Sequence, residues 1–400
     1  MSDIRYLIYA IFFPLLGPVC GLVVATTLVR QRRWRFTTKA AVTAAVLAAS
    51  LKFTWFSVFG GRVFWPELPA TVIHLLSVAY DVVLMLAALA AMVYAVRLGG
   101  MLFRMLACSV RDRKPAVSAE ESRGRLHRRD FLVGCLAAAT VPAAAVTVHE
   151  GIRLPKIRRV ELGFDDLPPA FDGYRIVQMS DLHISAAARA NRTVGVVGMA
   201  NALKPDLMVI TGDIVDGRVS AHRQDVEPLG ALVARDGVLG CNGNHEYFLD
   251  SGLWAAEFAR LGIRMLRNEA TVIRRERADG SGSDEISVIG RNDLASHDTD
   301  ISTAAAGATP FKILLVHRPT QLAAHAALGV RLQLSGHTHG GAILGMDRLV
   351  ALANEGHVRG LYREHGVTLY VNAGTGQWAG FPERAGISTE ITEITLRRQA

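Results

Sequence analysis

Cysteine is scarce in this chain: four residues among 400, Cys20, Cys108, Cys135 and Cys241. The first three lie in or beside apolar runs. Cys241 stands alone in the rest, so no disulfide can form there. Stability must come from a core, and about 245 residues are ample for one large domain. A positive surplus is also missing from the second half. The net charge of +8 would suit a nucleic-acid binder. Yet residues 1–150 hold 17 Lys and Arg against 8 Asp and Glu, and residues 151–400 hold 27 against 28. The basicity therefore belongs to the first part alone, and nucleic acid is excluded as a partner. There is no internal repeat and no long low-complexity tract.

What the first part has is long apolar runs. Tyr6 to Val29, Ala40 to Phe59 and Ala70 to Val96 are each long enough to cross a hydrocarbon core, which takes about 20 residues. A fourth run, Phe131 to Val148, is Ala-rich, shorter and only moderately hydrophobic. Arg30, Arg32, Arg33, Arg35 and Lys39 separate the first two runs. Only Arg62 and Glu67 separate the second and third. Nine Lys and Arg from Arg97 to Arg129 follow the third. Cytoplasmic loops carry the Lys and Arg excess. The first and third connections then face the cytoplasm, the amino terminus lies outside, and everything after residue 150 is extracytoplasmic. Lys52 and Asp81 fall within the outer half of neighbouring runs and read as a structural ion pair.

His127-Arg128-Arg129-Asp130-Phe131-Leu132-Val133 resembles a twin-arginine export signal, whose usual form is Ser/Thr-Arg-Arg-x-Phe-Leu-Lys. An ordinary basic flank would explain the arginines but not Phe131-Leu132. Ala143-Ala144-Ala145 resembles a cleavage site; otherwise the Ala-rich run is an uncleaved anchor. The chain thus divides into a membrane region, 1–129, a fourth span or signal, 130–150, and a further domain, 151–400.

In that domain apolar strands alternate with helical stretches. Strands are expected at Arg158 to Phe164, Arg175 to Met179, Leu207 to Ile210, Val238 to Cys241, Ile263 to Ile273, Glu285 to Gly290, Phe311 to Val316, Val330 to Leu334, Thr368 to Val371 and Glu390 to Leu396. Helices are expected at Thr193 to Leu203, Asp225 to Ala234, Leu253 to Leu261 and Thr320 to Ala327. Asp181, Asp213, Asn244, His317 and His337 each follow the end of an expected strand. Ligands of α/β sheets bind outside the carboxyl ends of strands, so these donors belong to one site.

They sit in five segments: Ser180-Asp181-Leu182-His183, Thr211-Gly212-Asp213, Gly243-Asn244-His245-Glu246, His317 and Gly336-His337-Thr338-His339-Gly340-Gly341. All offer oxygen or nitrogen to borderline and hard divalent ions. A pair of such ions is the usual device for cleaving phosphate esters. Asp181-x-His183 and His337-x-His339 would each present two donors on one side of extended backbone, and the glycines allow close approach.

This order of segments resembles the calcineurin-like metallophosphoesterases over roughly residues 157–397. The carboxyl-terminal Leu369-Tyr370-Val371-Asn372-Ala373-Gly374-Thr375-Gly376, with Arg384 and Gly386, resembles their bacterial membrane-associated phosphodiesterase branch. That branch usually has Ser-Arg where Asn372-Ala373 stands, and often Gln in place of Ala342. The resemblance implies an α/β fold, a four-layer α/β/β/α sandwich, here preceded by an all-α transmembrane region. It implies that Asp181, His183 and His339 hold one ion, Asn244, His317 and His337 a second, and that Asp213 bridges them. His245 would be the catalytic histidine, and a hydroxide between the ions the nucleophile. The donors suit Mn, Fe or Zn and do not choose among them. Glu246 either orients a ligand or is solvated. Loops 184–192, 215–223 and 342–366 should rim the site, with Arg359, Arg363 and Arg384 as phosphate contacts. Trp378 and Phe381 would pack on an apolar ligand or fill the rim.

The reading that results is a membrane-anchored phosphodiesterase of the bacterial cytoplasmic membrane. It would act outside the cytoplasm on an envelope or lipid-linked phosphoester, with the twin-arginine machinery as its export partner. The alternatives are a cytoplasm-facing nucleotide-sugar lipid pyrophosphatase, which the loop charges oppose, and a non-catalytic membrane metal scaffold. A pure binding site has no need of the extra imidazole of His245.

Overall fold

In a computed structural model that describes residues 2–29, 34–108, 119–248 and 251–399, contacts divide the chain into two compact units. One comprises residues 3–63 and 71–148, the other residues 64–70 together with 149–400. Arg30, Arg32, Arg33, Arg111, Arg113 and Lys114, which set the expected topology, lie outside the described residues. Around Arg128 and Arg129 only the helical backbone is described.

The first unit is built of helices. Ser2–Val24 runs into a π-helical turn, Ala25–Val29. Phe36–Ser50 and Lys52–Gly60 meet at a 64° bend, so the second apolar run is not one straight helix but a broken span or a re-entrant pair. Ala70–Met105 and Phe131–Ile152 are each long and apolar enough to cross a membrane, and the bent pair is a third crossing if counted as one. The Ala-rich run is thus longer than its composition suggested. At the bend Lys52 is buried, its ammonium 5.2, 5.7 and 5.1 Å from the ring centres of Phe53, Phe56 and Tyr80. Such faces attract a desolvated cation. Asp81 accepts a hydrogen bond from Thr147 Oγ1 at 3.4 Å.

The second unit is an α/β/β/α sandwich. Its twelve described strands are β1 (Lys156–Phe164), β2 (Arg175–Met179), β3 (Leu207–Thr211), β4 (Val238–Cys241), β5 (Ile263–Met265), β6 (Glu269–Glu276), β7 (Ser283–Gly290), β8 (Lys312–Leu315), β9 (Val330–Ser335), β10 (Gly360–Glu364), β11 (Val367–Val371) and β12 (Glu390–Arg398). One sheet runs β1-β12-β2-β3-β4-β5, the other β10-β11-β9-β8-β7-β6. β2 to β5 are mutually parallel, as are β7, β8, β9 and β11.

Alternation along the strands sorts the core into layers. Ile176, Leu207, Val209, Ile286, Val288, Ile313 and Leu332 meet between the sheets. Val177, Met179, Met208 and Ile210 point the other way, onto Val196, Trp254 and Phe258 of helices Ala190–Ala202 and Ser251–Arg260. Ile289, Leu314 and Val316 make the outer layer of the second sheet with Ile301 and Ala305.

Three local expectations give way. The single strand Ile263 to Ile273 is two, one at an edge of each sheet. The chain changes sheets through Leu266, buried in the central core, and Asn268, whose φ is 57°. Asn is one of few residues that reach the left-handed region readily. The helix expected at Asp225 to Ala234 starts earlier, as Val219–Val226, and tightens to a 3₁₀ turn, Glu227–Ala231, where Pro228 offers no N–H. β10 and the short helix Asp347–Ala353 emerge from what composition read as a loop.

Candidate metal centre

Each strand end delivers its donor. Asp181, Asp213, His317 and His337 lie two residues past β2, β3, β8 and β9, and Asn244 three past β4. The backbone there is not extended. Asp181, His183, Asp213, His337 and His339 have φ of 51°, 46°, 50°, 72° and 49°. The two-residue pairs therefore converge through left-handed turns rather than through a pleat. Such non-glycine conformations cost of order 1–3 kcal/mol each and persist only where surroundings impose them. Here Asp181 N–H donates to Gly212 O at 3.0 Å, His183 N–H to Asp213 O at 3.1 Å, and His337 N–H to both Asp181 oxygens at 3.1 Å. A side chain at Gly243 or Gly336 would collide with the carboxylate of Asp213 or of Asp181.

Three groups of donors lie close enough to hold an ion: Asp181, His183 and His339; Asp213, His317 and His337; and His183, Asp213 and His245. Asp213 belongs to two of them. Its Oδ2 is 3.1 Å from His317 Nε2 and 3.8 Å from both His183 Nε2 and His245 Nε2. His183 Nε2 and His339 Nε2 face each other at 3.0 Å, as do His317 Nε2 and His337 Nδ1 at 3.2 Å. Beside them Asn244 Oδ1 is buried without a hydrogen-bond partner. An orphaned amide oxygen, facing imidazole nitrogens and two buried carboxylates fit divalent cations. Burial, then the charge of Arg318, lowers the His337 pKa well below the ordinary range; burial, then His183 and Arg384, does the same to His339. Neutral imidazoles are what a cation requires.

His245 and His317 differ from His337 and His339: burial lowers the pKa of each, but Asp213 outweighs it in both, and pushes the His317 pKa up to about 10. At His245, burial is countered by Asp213 and Asp216, which push the pKa up to about 9. The His245 Nδ1 is 2.6 Å from Asp216 Oδ1, and its backbone N–H donates to Asp213 Oδ1 at 2.9 Å. It is also a member of the third donor group, with His183 and Asp213. Two divalent cations alongside would oppose the upward push.

Glu246 is not solvated. Its carboxylate accepts from the N–H of Gly243 (2.7 Å), Asp213 (3.1 Å), Ile214 (2.7 Å) and Val215 (3.3 Å), lacing the loop after β3 to the loop after β4. Burial, then the charge of Asp213, raises its pKa to about 7.

Arg384 does not face the site with a free guanidinium. It donates to Gln377 Oε1, Ala373 O, Gly376 O and His339 O, and its Nη2 lies 3.1 Å from His339 Nδ1. With every N–H engaged it positions His339 instead of taking a phosphate; burial lowers its pKa to about 10. Arg359 braces the turn after His339 by donating to Gly340 O at 2.8 Å and Asp347 at 3.5 Å. Arg363 is exposed on β10.

Composition and spacing missed three features. Asp216 lies three residues past Asp213 and holds two histidines, His183 Nδ1 at 2.9 Å and His245 Nδ1. Burial alone would raise its pKa, but those histidines bring it to about 2. Arg318, next to His317, bridges Asp293 (2.8 Å) and His337 Nε2 (3.2 Å). The third is Phe64–Ala70, counted with the membrane region but compact with this unit. A second Gly-Asp-x-x-Asp carboxylate was available as a signal for Asp216; nothing local marks the loop.

Residues 174–341 match the model of the calcineurin-like phosphoesterases. A zebrafish (Danio rerio) transmembrane protein with metallophosphoesterase domain is 37% identical over 262 residues, 61% of this chain and 58% of its own length. The cattle (Bos taurus) protein of the same name is 36% identical, over 64% and 61%. The chain thus spans about three fifths of the length of these relatives. An uncharacterized metallophosphoesterase of Bacillus subtilis (strain 168), YkuE, is 33% identical over 292 residues, 68% of this chain and 98% of that protein.

Proposed function

Since the chain belongs to the calcineurin-like phosphoesterase family, we propose that it is a membrane-anchored, metal-dependent phosphodiesterase acting on an envelope or lipid-linked phosphoester. The observation that carries this reading is Asp213, shared between two groups of ion-holding donors with the His245 Nε2 beside it. Asp181, His183 and His339 would hold one divalent ion, and Asn244, His317 and His337 the other, with Asp213 between. Mn, Fe and Zn all suit the set. Bound there, such ions supply charge stabilisation to phosphoryl oxygens and lower the pKa of water.

The chain's own residues do the remaining work. Asp216 fixes Nδ1 of His245, leaving Nε2 to give a proton to the departing alcohol oxygen. Glu246 holds the loops of Asp213 and Asn244 in register, and Arg384 holds His339. A substrate presented by a bilayer is favoured by Ile343, Leu344, Met346, Leu349 and Leu352, which follow His339 closely and are 41–84% exposed. An apolar patch of that kind marks an interaction surface. Full-length protein in detergent should hydrolyse a generic phosphodiester with added Mn²⁺, and chelation should abolish turnover. Absence of turnover with Mn, Fe and Zn alike would leave a metal-binding scaffold.

Two arguments support a catalytic unit outside the cytoplasm. The excess of Lys and Arg puts it opposite the basic connections. In addition, residues 64–70 and 149–400 form one unit, and two long apolar helices separate them in sequence. An even number of crossings returns the chain to the side it left. A carboxyl-terminal reporter working only outside the cytoplasm should be active. Changing Arg128→Lys with Arg129→Lys keeps the charge but should strand the unit inside if the twin-arginine route is used; normal export would reduce the pair to a basic flank.

A further inference from the structure

The loop Phe64–Ala70 joins two apolar helices, yet its side chains meet the catalytic unit around His245. Trp65 stacks on Phe248, centroids 5.6 Å apart and planes within 15°. Phe248 in turn lies 4.9 Å from the His245 ring. Phe64 packs on Trp378 at 5.4 Å, and Trp378 meets the His245 ring edge-on at 5.8 Å, with Phe381 behind it at 5.3 Å. Phe64 and Trp65 are buried, whereas Phe248 keeps 38% of its surface exposed. A polar pin completes the seat. Glu67 Oε1 is 2.9 Å from His222 Nε2, and His222 Nδ1 is 3.0 Å from Asp225 Oδ2. Asp225 also accepts from the N–H of Ala190, the first residue of a helix, at 3.2 Å.

His245 is therefore flanked by two unlike surfaces. Toward Asp213 lie the carboxylates and imidazoles that would handle the phosphoryl group. Around its ring lie Phe248 and Trp378, each backed by a ring from the loop. Resting on the phosphodiesterase reading above, we propose that Phe64–Ala70 builds the wall of the leaving-group subsite, and that the wall selects an alcohol with an apolar, lipid-like body. Hydrolysis adds water across the ester. The water oxygen bonds to phosphorus and gives up one proton, the P–O bond to the alcohol breaks with its electron pair on the alcohol oxygen, and that oxygen takes the His245 proton, which the proton released from water replaces. The departing alcohol must then lie against Phe248 and Trp378.

The rings argue against a nucleobase. Trp65 covers one face of Phe248, and Phe64 and Phe381 crowd Trp378 at a tilt, which reduces the aromatic face a base could stack on. The partly exposed Phe248 surface suits an alkyl chain. The wall offers few polar contacts to a hydroxyl-rich leaving group. One is Trp378 Nε1, buried without a partner in the protein. A buried donor of that kind calls for an acceptor, and an ester oxygen at His245 would supply it. Phe64 and Trp65 act through Phe248 and Trp378 and are positioning residues.

The test uses full-length enzyme in detergent and the ethyl, octyl and thymidine-5′ diesters of methyl phosphate, following release of the variable alcohol. Ethanol and octanol are leaving groups of similar basicity, so the demand on the proton donor is the same. Wild type should favour octyl over ethyl by about tenfold or more in kcat/KM, an effect reached when only a small part of the longer chain is buried. Trp65→Ala and Phe64→Ala should cut that preference by about fivefold, mainly through KM of the octyl ester, and Trp65→Phe should restore most of it. Equal losses on octyl and ethyl esters would make the loop a mere prop and overturn the proposal. So would a wild type without octyl preference, or one that prefers the thymidine ester. A wild type that cleaves none of the diesters would overturn the phosphodiesterase reading itself, and the wall with it.

Discussion

The candidate metal centre and the loop Phe64–Ala70 meet at His245 but are specified in opposite ways. Every donor stands on the carboxyl end of a strand, in a short segment whose residue types disclose its chemistry. Phe64–Ala70 carries no such mark: its rings and single carboxylate gain meaning only from Phe248, Trp378 and His222, more than 150 residues away in sequence. Chemistry that repeats a local pattern can be read along the chain. Specificity assembled from distant, ordinary residues cannot.

The sharpest way to break this contrast is to remove the shared carboxylate. Asp213→Ala should abolish activity and reduce bound metal at both positions, because Oδ2 serves histidines of two donor groups. Metal analysis of the purified variant is the check. Two tightly held ions remaining would show that the donor groups are independent and Asp213 does not bridge.

His245 lies on the border between the two regions. His245→Ala should retain both ions yet lose about 10²–10⁴-fold in turnover of an alkyl diester, the usual contribution of a general acid. An activated aryl ester, whose leaving group needs no proton, should suffer much less. Loss of an ion from the variant would make His245 a ligand, as its membership of the third donor group allows.

Asp216 should matter less, and through other residues. It orients one nitrogen each of His183 and His245, and changes at such orienting groups typically cost about 10–100-fold in metal affinity or activity. Both nitrogens reach the same oxygen, Oδ1, and Asp216→Ala removes that acceptor from His183 and His245 at once. Its metal affinity should fall through His183 and its alkyl-ester rate through His245, so both readouts should move together. A variant with wild-type values for both would reduce Asp216 to a packing residue.

The same contrast explains how much was legible. The order and ends of β2, β3, β4, β8 and β9 were open to reading because apolar runs stopping at Asp, Asn or His are unusual. The left-handed turns at Asp181, His183, His337 and His339 were not, since their φ values are imposed by hydrogen bonds from other loops. Nor was the engagement of Arg384, which five surrounding acceptors decide and its neighbours in sequence do not. The break at Leu51 and the transfer of Ile263 to Ile273 between sheets likewise depend on what Lys52 and Leu266 find to pack against.

The smallest expected effect concerns the pin of the loop. Burial pulls the His222 pKa down, but hydrogen bonds to Glu67 and Asp225 outweigh this and leave it above the ordinary histidine value. The raised pKa fixes the sign. The contribution of the protonated bridge is fully present below the unfolded value and fades as pH rises through the folded one. Arg189, 3.4 Å from Asp225, competes for that carboxylate, and Glu67 is 43% exposed, so screening keeps the effect modest. The octyl-over-ethyl preference should therefore weaken by about twofold as pH rises above neutrality, a size typical of a partly exposed pair. Using a ratio cancels the ionisation of His245, which both esters share. Glu67→Gln should flatten the pH dependence of the ratio while leaving bound metal in place. A ratio that stays constant with pH in the wild type would show that the aromatic contacts of Phe64 and Trp65 hold the loop without help from the ion pair.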